Sequence, residues 1–296
     1  MGKITSLFAR KVVAAAGEDA DARALLTPLG LDPDAPWDPK VMISDTAYYD
    51  MWERMAQQMD VTALPLKVGA SMTCDEYGAL GLAWKAAPDL KGSFARIERY
   101  ARLWTDVVEY ELAPHPRGTL FILHRSGERR LGLRMSNEAT LASGVSLSRQ
   151  VCPRPFAPLE VFFKHAAPKV TAHHEAYFGC PVQFSADKDA MLLSPLSLAE
   201  PNILGDAGIT QFLVAHLDHE LSEIEHTPSL QAQTKDEIAR ALSEGLPKMA
   251  DIARRLGMSV RSFHRRLAEQ GLSFQTLTEE TRREIALNML KNEGYA

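Results

Sequence analysis

The sequence predicts an α+β N-terminal domain, built of helices plus an antiparallel sheet, followed by an all-α helix-turn-helix unit. Three observations support this. Apolar residues at helical spacing dominate the first hundred positions. Short alternating runs of β-branched and aromatic residues follow between about 106 and 193. Residues 249–267, MADIARRLGMSVRSFHRRL, then read as two short helices about a glycine turn. A chain of 296 residues has room for both parts, and 46% hydrophobic with 24% charged content is that of a folded chain.

Residues 4–30 read as a helical lead-in with Val12, Val13, Ala16, Leu25, Leu26 and Leu29 as its apolar points, broken at Gly30-Leu31-Asp32-Pro33. Pro36 and Pro39 keep the next stretch extended. Ser44 or Asp45 caps a helix to about Met59, with Tyr48, Met51, Trp52 and Met55 on its buried stripe. After Leu66-Lys67-Val68-Gly69, Tyr77 to Ala86 is a small, close-packed helix; its Gly78 and Gly81 lack the spacing of a nucleotide loop. Leu90-Lys91-Gly92-Ser93 introduces a further helix, with Phe94, Ile97, Ala101 and Trp104 facing one way.

From Asp106 the period shortens. VVEYEL, TLFILHR and RLGLRM read as three strands of an antiparallel meander, with turns at residues 114–118 and 126–128. A helix from about Glu138 to Val151, a strand at residues 159–163, a short helix from His173 to Phe178, and strands at 182–184 and 190–193 complete the domain. The helix ITQFLVAHLDHELSEIE then presents Phe212, Leu213, His216, Leu217 and Leu221 as a broad apolar face. Thr227-Pro228-Ser229 marks the domain boundary, and a helix over 231–244 packs against the helix-turn-helix.

In the C-terminal part, Ile252, Ala253 and Leu256 share a helix face, Gly257 ends that helix, and Ser259 caps the next, whose inner stripe is Phe263 and Leu267. Arg261, His264, Arg265 and Ala268 fall on the opposite side. Arginine grips guanine O6 and N7 with two hydrogen bonds, and histidine reads a base edge or a phosphate. The net charge from Lys248 to Arg266 is +5, within a chain whose total is −5. Base is therefore concentrated in the helix-turn-helix while the rest of the chain is acidic.

The stretch IARRLGMSVRSFHRRLAEQGLSFQTLTEETRREIALNML resembles the first DNA-reading half of the AraC/XylS family of transcription regulators. The resemblance implies that Ser259 opens the recognition helix and that Arg261, His264 and Arg265 face the bases. It also implies that the helix from Thr276 to Leu290 is the linker between two helix-turn-helix units; the chain stops at Gly294-Tyr295-Ala296, where the second unit begins in the family. Gly30-Leu31, Asp38-Pro39, Trp52, Arg99-Tyr100 and the run from Tyr177 to Phe184 resemble the arabinose-binding-like effector domain of one branch of that family, which includes ornithine-responsive and virulence regulators. Coverage runs from about residue 20 to the end. Members differ in effector, so the domain's name does not make the ligand arabinose.

An effector pocket is expected where Trp84, Phe94, Tyr100 and Trp104 bracket the helix-to-sheet transition. Their aromatic character favours an apolar or amphipathic molecule over a sugar, and Arg96, Arg99 or Arg102 could meet a carboxylate. His216, His219, Glu220 and Glu223 lack the order of a zinc-protease helix, and Cys180 with His165 is weak ground for a hydrolase. No catalytic residue, metal or cofactor is expected. Three cysteines without CxxC spacing, no leader and no long apolar run point to the cytoplasm and away from a membrane.

These readings describe an effector-responsive regulator, a homodimer on double-stranded DNA. Residues 1–225 would sense and dimerise, and residues 230–296 would bind DNA. Arg261, His264 and Arg265 would read the major groove, while Lys248, Arg254, Arg282 and Arg283 would hold phosphates. The alternative is a ligand-binding dimerisation module with no DNA binding of its own, because the second helix-turn-helix is missing.

Overall fold

Strand β1 (Lys3–Thr5) pairs antiparallel with β2 (Met42–Ser44), setting Ile4 opposite Ile43. The computed structural model that shows this describes residues 2–38, 40–125, 127–226, 230–242 and 245–292. Pro39 of the stretch expected to be extended, Ser126 at the start of an expected turn, the boundary expected at Thr227-Pro228-Ser229, and the chain end at Gly294-Tyr295-Ala296 lie outside the described residues. The chain divides into two units, Gly2–Leu221 and the residues from Ser222 onward.

In the first unit, α1 (Ser6–Ala16) starts at Thr5, whose hydroxyl accepts the Leu7 N–H at 3.3 Å, and α2 (Ala22–Leu26) starts at Asp21. Ser44 caps α3 (Asp45–Gln58) as expected, accepting from Ala47 N–H, and the stripe Tyr48, Met51, Trp52 and Met55 is buried. There follow α4 (Leu64–Ser71), α5 (Gly78–Ala86) and α6 (Leu90–Tyr100). Asp89 caps α6 by accepting from Gly92 N–H at 2.7 Å, so the helix begins at Leu90 itself and ends before Ala101 and Trp104.

β3 (Val108–His115) and β4 (Gly118–Arg125) form the expected hairpin, although β3 runs on through Pro114 and His115, positions read as a turn. RLGLRM is not a strand. From Leu131 it is the start of α7 (Leu131–Val151). Six alternating residues fit either period, and the decision is tertiary: Leu133 and Met135 bury against α3 residues, while Glu53 of α3 accepts the Gly132 N–H at 3.0 Å and caps the helix from outside. α4, unassigned by sequence, packs on α7 where Gly69 meets Ala142; a Cβ on Gly69 would lie 2.3 Å from that of Ala142.

After α7 come β5 (Glu160–Phe162), α8 (Ala172–Phe178), β6 (Val182–Gln183), β7 (Asp189–Leu193), a single turn α9 (Pro195–Leu198) and α10 (Ala207–His226). The sheet order is β3-β4-β7-β5-β6. It is not wholly antiparallel as expected, because β5 and β6 run parallel. The broad apolar face expected on α10 is also narrower: Leu213 and Leu217 are buried, but Phe212 is 73% exposed and His216 is half exposed. The division between units falls within this helix.

The second unit contains α11 (Leu230–Leu242), α12 (Met249–Arg255), α13 (Val260–Glu269) and α14 (Phe274–Asn292). Ile238, Ile252, Ala253, Phe263, Leu267 and Leu277 make its buried core. Gly257 turns the chain at φ +67°, in the left-handed region where side chains are strained, and Met258 N–H closes onto Ala253 O at 2.8 Å. Lys235 on α11 ties to Glu280 and Glu284 on α14 at 2.9 and 2.8 Å.

Candidate functional site

The second unit displays α13. Ser259 caps it, its hydroxyl accepting from Ser262 N–H at 3.2 Å. Burial of Phe263 and Leu267 fixes the helix's rotation, and the 3.6-residue period then turns Arg261, His264 and Arg265 outward, where all three are exposed. Lys248, Arg254, Arg282 and Arg283 are exposed too. Arg254 donates to Asp251 one turn earlier on α12. In isolation the arrangement is a firmly braced helix with a cationic outer face.

In the first unit, α7, the inner face of the β3-β4 hairpin and the aromatic ends of α5 and α6 enclose a narrow cavity of about 70 Å³. Trp84, Phe94 and Trp104 line it as expected. Tyr100 does not: its hydroxyl donates to Asp218 at 2.8 Å, beside the Arg99–Asp218 ion pair. Arg99 is thus engaged, and Arg96 donates to Gly92 O at 2.6 Å; neither lines the cavity.

The cation that does line the cavity is Arg125, which sequence reasoning missed. Register places Val108, Tyr110 and Leu112 opposite Arg125, Leu123 and Phe121, so Arg125 shares the inner face with Phe121 and Leu123. Its Nη1 donates to Ser136 Oγ at 2.7 Å and Tyr49 Oη at 3.1 Å. Desolvation pushes the Tyr48 and Tyr110 phenols up to about 12, opposed only in part by the Arg125 charge, so both line the cavity as neutral groups. The signal was present in TLFILHR: two-residue alternation from Phe121 leads through Leu123 to an arginine on the apolar face.

Residues 20–202 match the family model described as the arabinose-binding domain of AraC transcription regulators, N-terminal. The chain belongs to the AraC family. HTH-type transcriptional regulators of Mycobacterium tuberculosis and Mycobacterium bovis are each 25% identical to it over 252 residues, spanning 81% of this chain and 71% of theirs. The crystal structure of the transcriptional regulator CdpR from Pseudomonas aeruginosa is similar at a TM-score of 0.50 and 16% identity, over 93% of this chain and 86% of that one. That likeness concerns the fold. The family match covers most of the cavity lining, including Trp84, Phe94, Trp104 and Arg125, but not Ile4 and Phe8. The helices α11 to α14 lie beyond the residues that this family model matches.

No described helix is long and apolar enough to cross a membrane. Glu138, His165 and His174 form a buried cluster that the His173-His174 doublet did not announce: Glu138 lies 3.0 Å from His165 Nε2 and 2.9 Å from His174 Nε2. It stands apart from the lining of the cavity.

Proposed function

We propose that this AraC-family regulator binds double-stranded DNA through α13 and senses a small apolar or amphipathic molecule in the cavity of its first unit. Residues 1–225 would hold the effector and pair two copies of the chain, and residues 230–296 would contact DNA. The single observation that supports the DNA reading best is the opposition on α13 of buried Phe263 and Leu267 to exposed Arg261, His264 and Arg265. On that geometry α13 enters the major groove with those three side chains at base edges. Ser259 presents the helix start, and Lys248, Arg254, Arg282 and Arg283 take phosphates, Arg254 exchanging Asp251 for one. An effector that prefers one packing of the cavity walls shifts the population of that packing, which is how occupancy would reach the DNA.

Selection of the full chain against a random duplex pool tests this. Enrichment of paired half-sites separated by whole helical turns is expected of a dimer reading the major groove. Recovery of no preferred sequence at low salt would overturn the DNA reading.

A further inference from the structure

We propose that the cavity takes an amphipathic carboxylate, its head on Arg125 and its apolar body along the wall toward Trp84; this rests on reading the cavity as the effector site. Arg125 spends Nη1 on Tyr49 and Ser136, but its Nε is buried with no partner. No carboxylate among the described residues pairs with it. The buried acid on the same sheet face, Asp189, is already taken by Asn137 Nδ2 and Lys164 N–H, each at 3.0 Å. A partly desolvated guanidinium without a counter-ion is costly, and a planar carboxylate offers the two acceptors that its edge matches.

The neighbouring hydroxyls sharpen the preference. Ser136 Oγ and Tyr49 Oη both accept from Nη1, so their own protons turn away from the guanidinium, and Ser136, which lines the cavity, has its proton on the side of the neighbouring Tyr48 phenol, where a ligand carboxylate can compete for it. Thr140 and Ser143, also in the wall, commit their protons to the carbonyls of Ser136 and Ala139 at 2.8 and 2.7 Å. Donors therefore gather at the Arg125 end.

The rest of the wall is largely apolar, its hydroxyls those of Tyr48, Tyr77, Tyr110, Thr105, Thr140 and Ser143. Arg125 and Phe121 stand four residues apart on one strand face, about 13 Å by strand rise. Beyond Phe121 come Phe94 and then Trp84, with successive ring centroids 4.9 and 5.0 Å apart. An extended hydrocarbon or aryl chain suits that length. A free sugar would leave most of its hydroxyls unpaired against Phe94, Phe121 and Trp84.

Titration of the full chain with decanoate, decanol and L-arabinose, followed by calorimetry and by the fluorescence of the cavity tryptophans, tests the assignment. Decanoate is expected to bind tenfold or more tighter than decanol, as about one or two hydrogen bonds to a charged group would give. Arg125→Gln is expected to abolish that preference by weakening decanoate at least tenfold more than decanol, and Arg125→Lys to retain part of it. Equal binding of decanoate and decanol to the wild-type chain overturns the head-group assignment but not the effector reading, and needs no variant to fold. Binding of L-arabinose alone also overturns it while leaving the cavity as a sensor. Failure of all three probes to bind overturns both.

Discussion

Glu138 and His174 meet through a 2.9 Å hydrogen bond where both side chains are almost entirely shut off from water. His165 approaches the other carboxylate oxygen at 3.0 Å, and Arg134 donates to it at 3.1 Å. The group joins α7 to α8 and to the strand end beyond β5, beneath the rings of Phe163 and Phe184.

Burial opposes ionisation of Glu138, but the hydrogen bonds and charges of His165 and His174 outweigh it and hold the carboxyl at about 2. Because this lies below the ordinary 4.5, the ionised group contributes stability above about pH 4.5, and that contribution is lost as pH falls toward 2. Glu138→Ala should cost about 3–5 kcal/mol at neutral pH. Urea midpoints measured from pH 7 to pH 3 should show the gap between wild type and variant narrowing on the acid side. A constant gap would show that the carboxylate acts only by packing.

Gly69→Ala should destabilise the first unit by about 1–3 kcal/mol. The new methyl would meet Ala142 Cβ at 2.3 Å and the Ala142 and Ser143 backbone at 2.7 Å, forcing α4 from α7. Thermal unfolding reads the effect directly. An unchanged midpoint would mean that the helices re-space without cost.

The C-terminal helices were legible because their determinants are local. Ile252, Ala253, Gly257, Ser259, Phe263 and Leu267 lie within sixteen residues and act through helix period, one left-handed turn and one cap. The β3-β4 hairpin was legible for the same reason. The start of α7 was not, since RLGLRM satisfies both periods and the decision belongs to Glu53, far away in sequence. Trp84, Phe94 and Trp104 were found by composition, whereas Tyr100 was lost to the cavity through a partner 118 residues away. Arg125 needed both strand alternation and the knowledge of which face is inner, and only the packed helices supply the second.

A fragment of residues 1–225 should fold by itself and dimerise. Its two apolar clusters, around Trp84 and Phe121 and around Trp52 and Met51, are separate from the cluster around Phe263. Sedimentation of the purified fragment should give a single species of twice the fragment's mass with intact circular dichroism. Aggregated or unfolded material would contradict it.

Fluorescence anisotropy of Arg265→Ala, on a selected duplex and on its scrambled counterpart, tests the role of α13 most directly. A bidentate arginine–guanine pair discriminates by about 1–3 kcal/mol, so affinity for the selected duplex should fall tenfold or more while the scrambled duplex is bound as before. Arg254→Ala should instead weaken both duplexes alike and lower the salt slope by about one. If Arg265→Ala weakens both duplexes equally, Arg265 is a phosphate clamp, and the assignment of base reading to the face of α13 that opposes Phe263 is wrong.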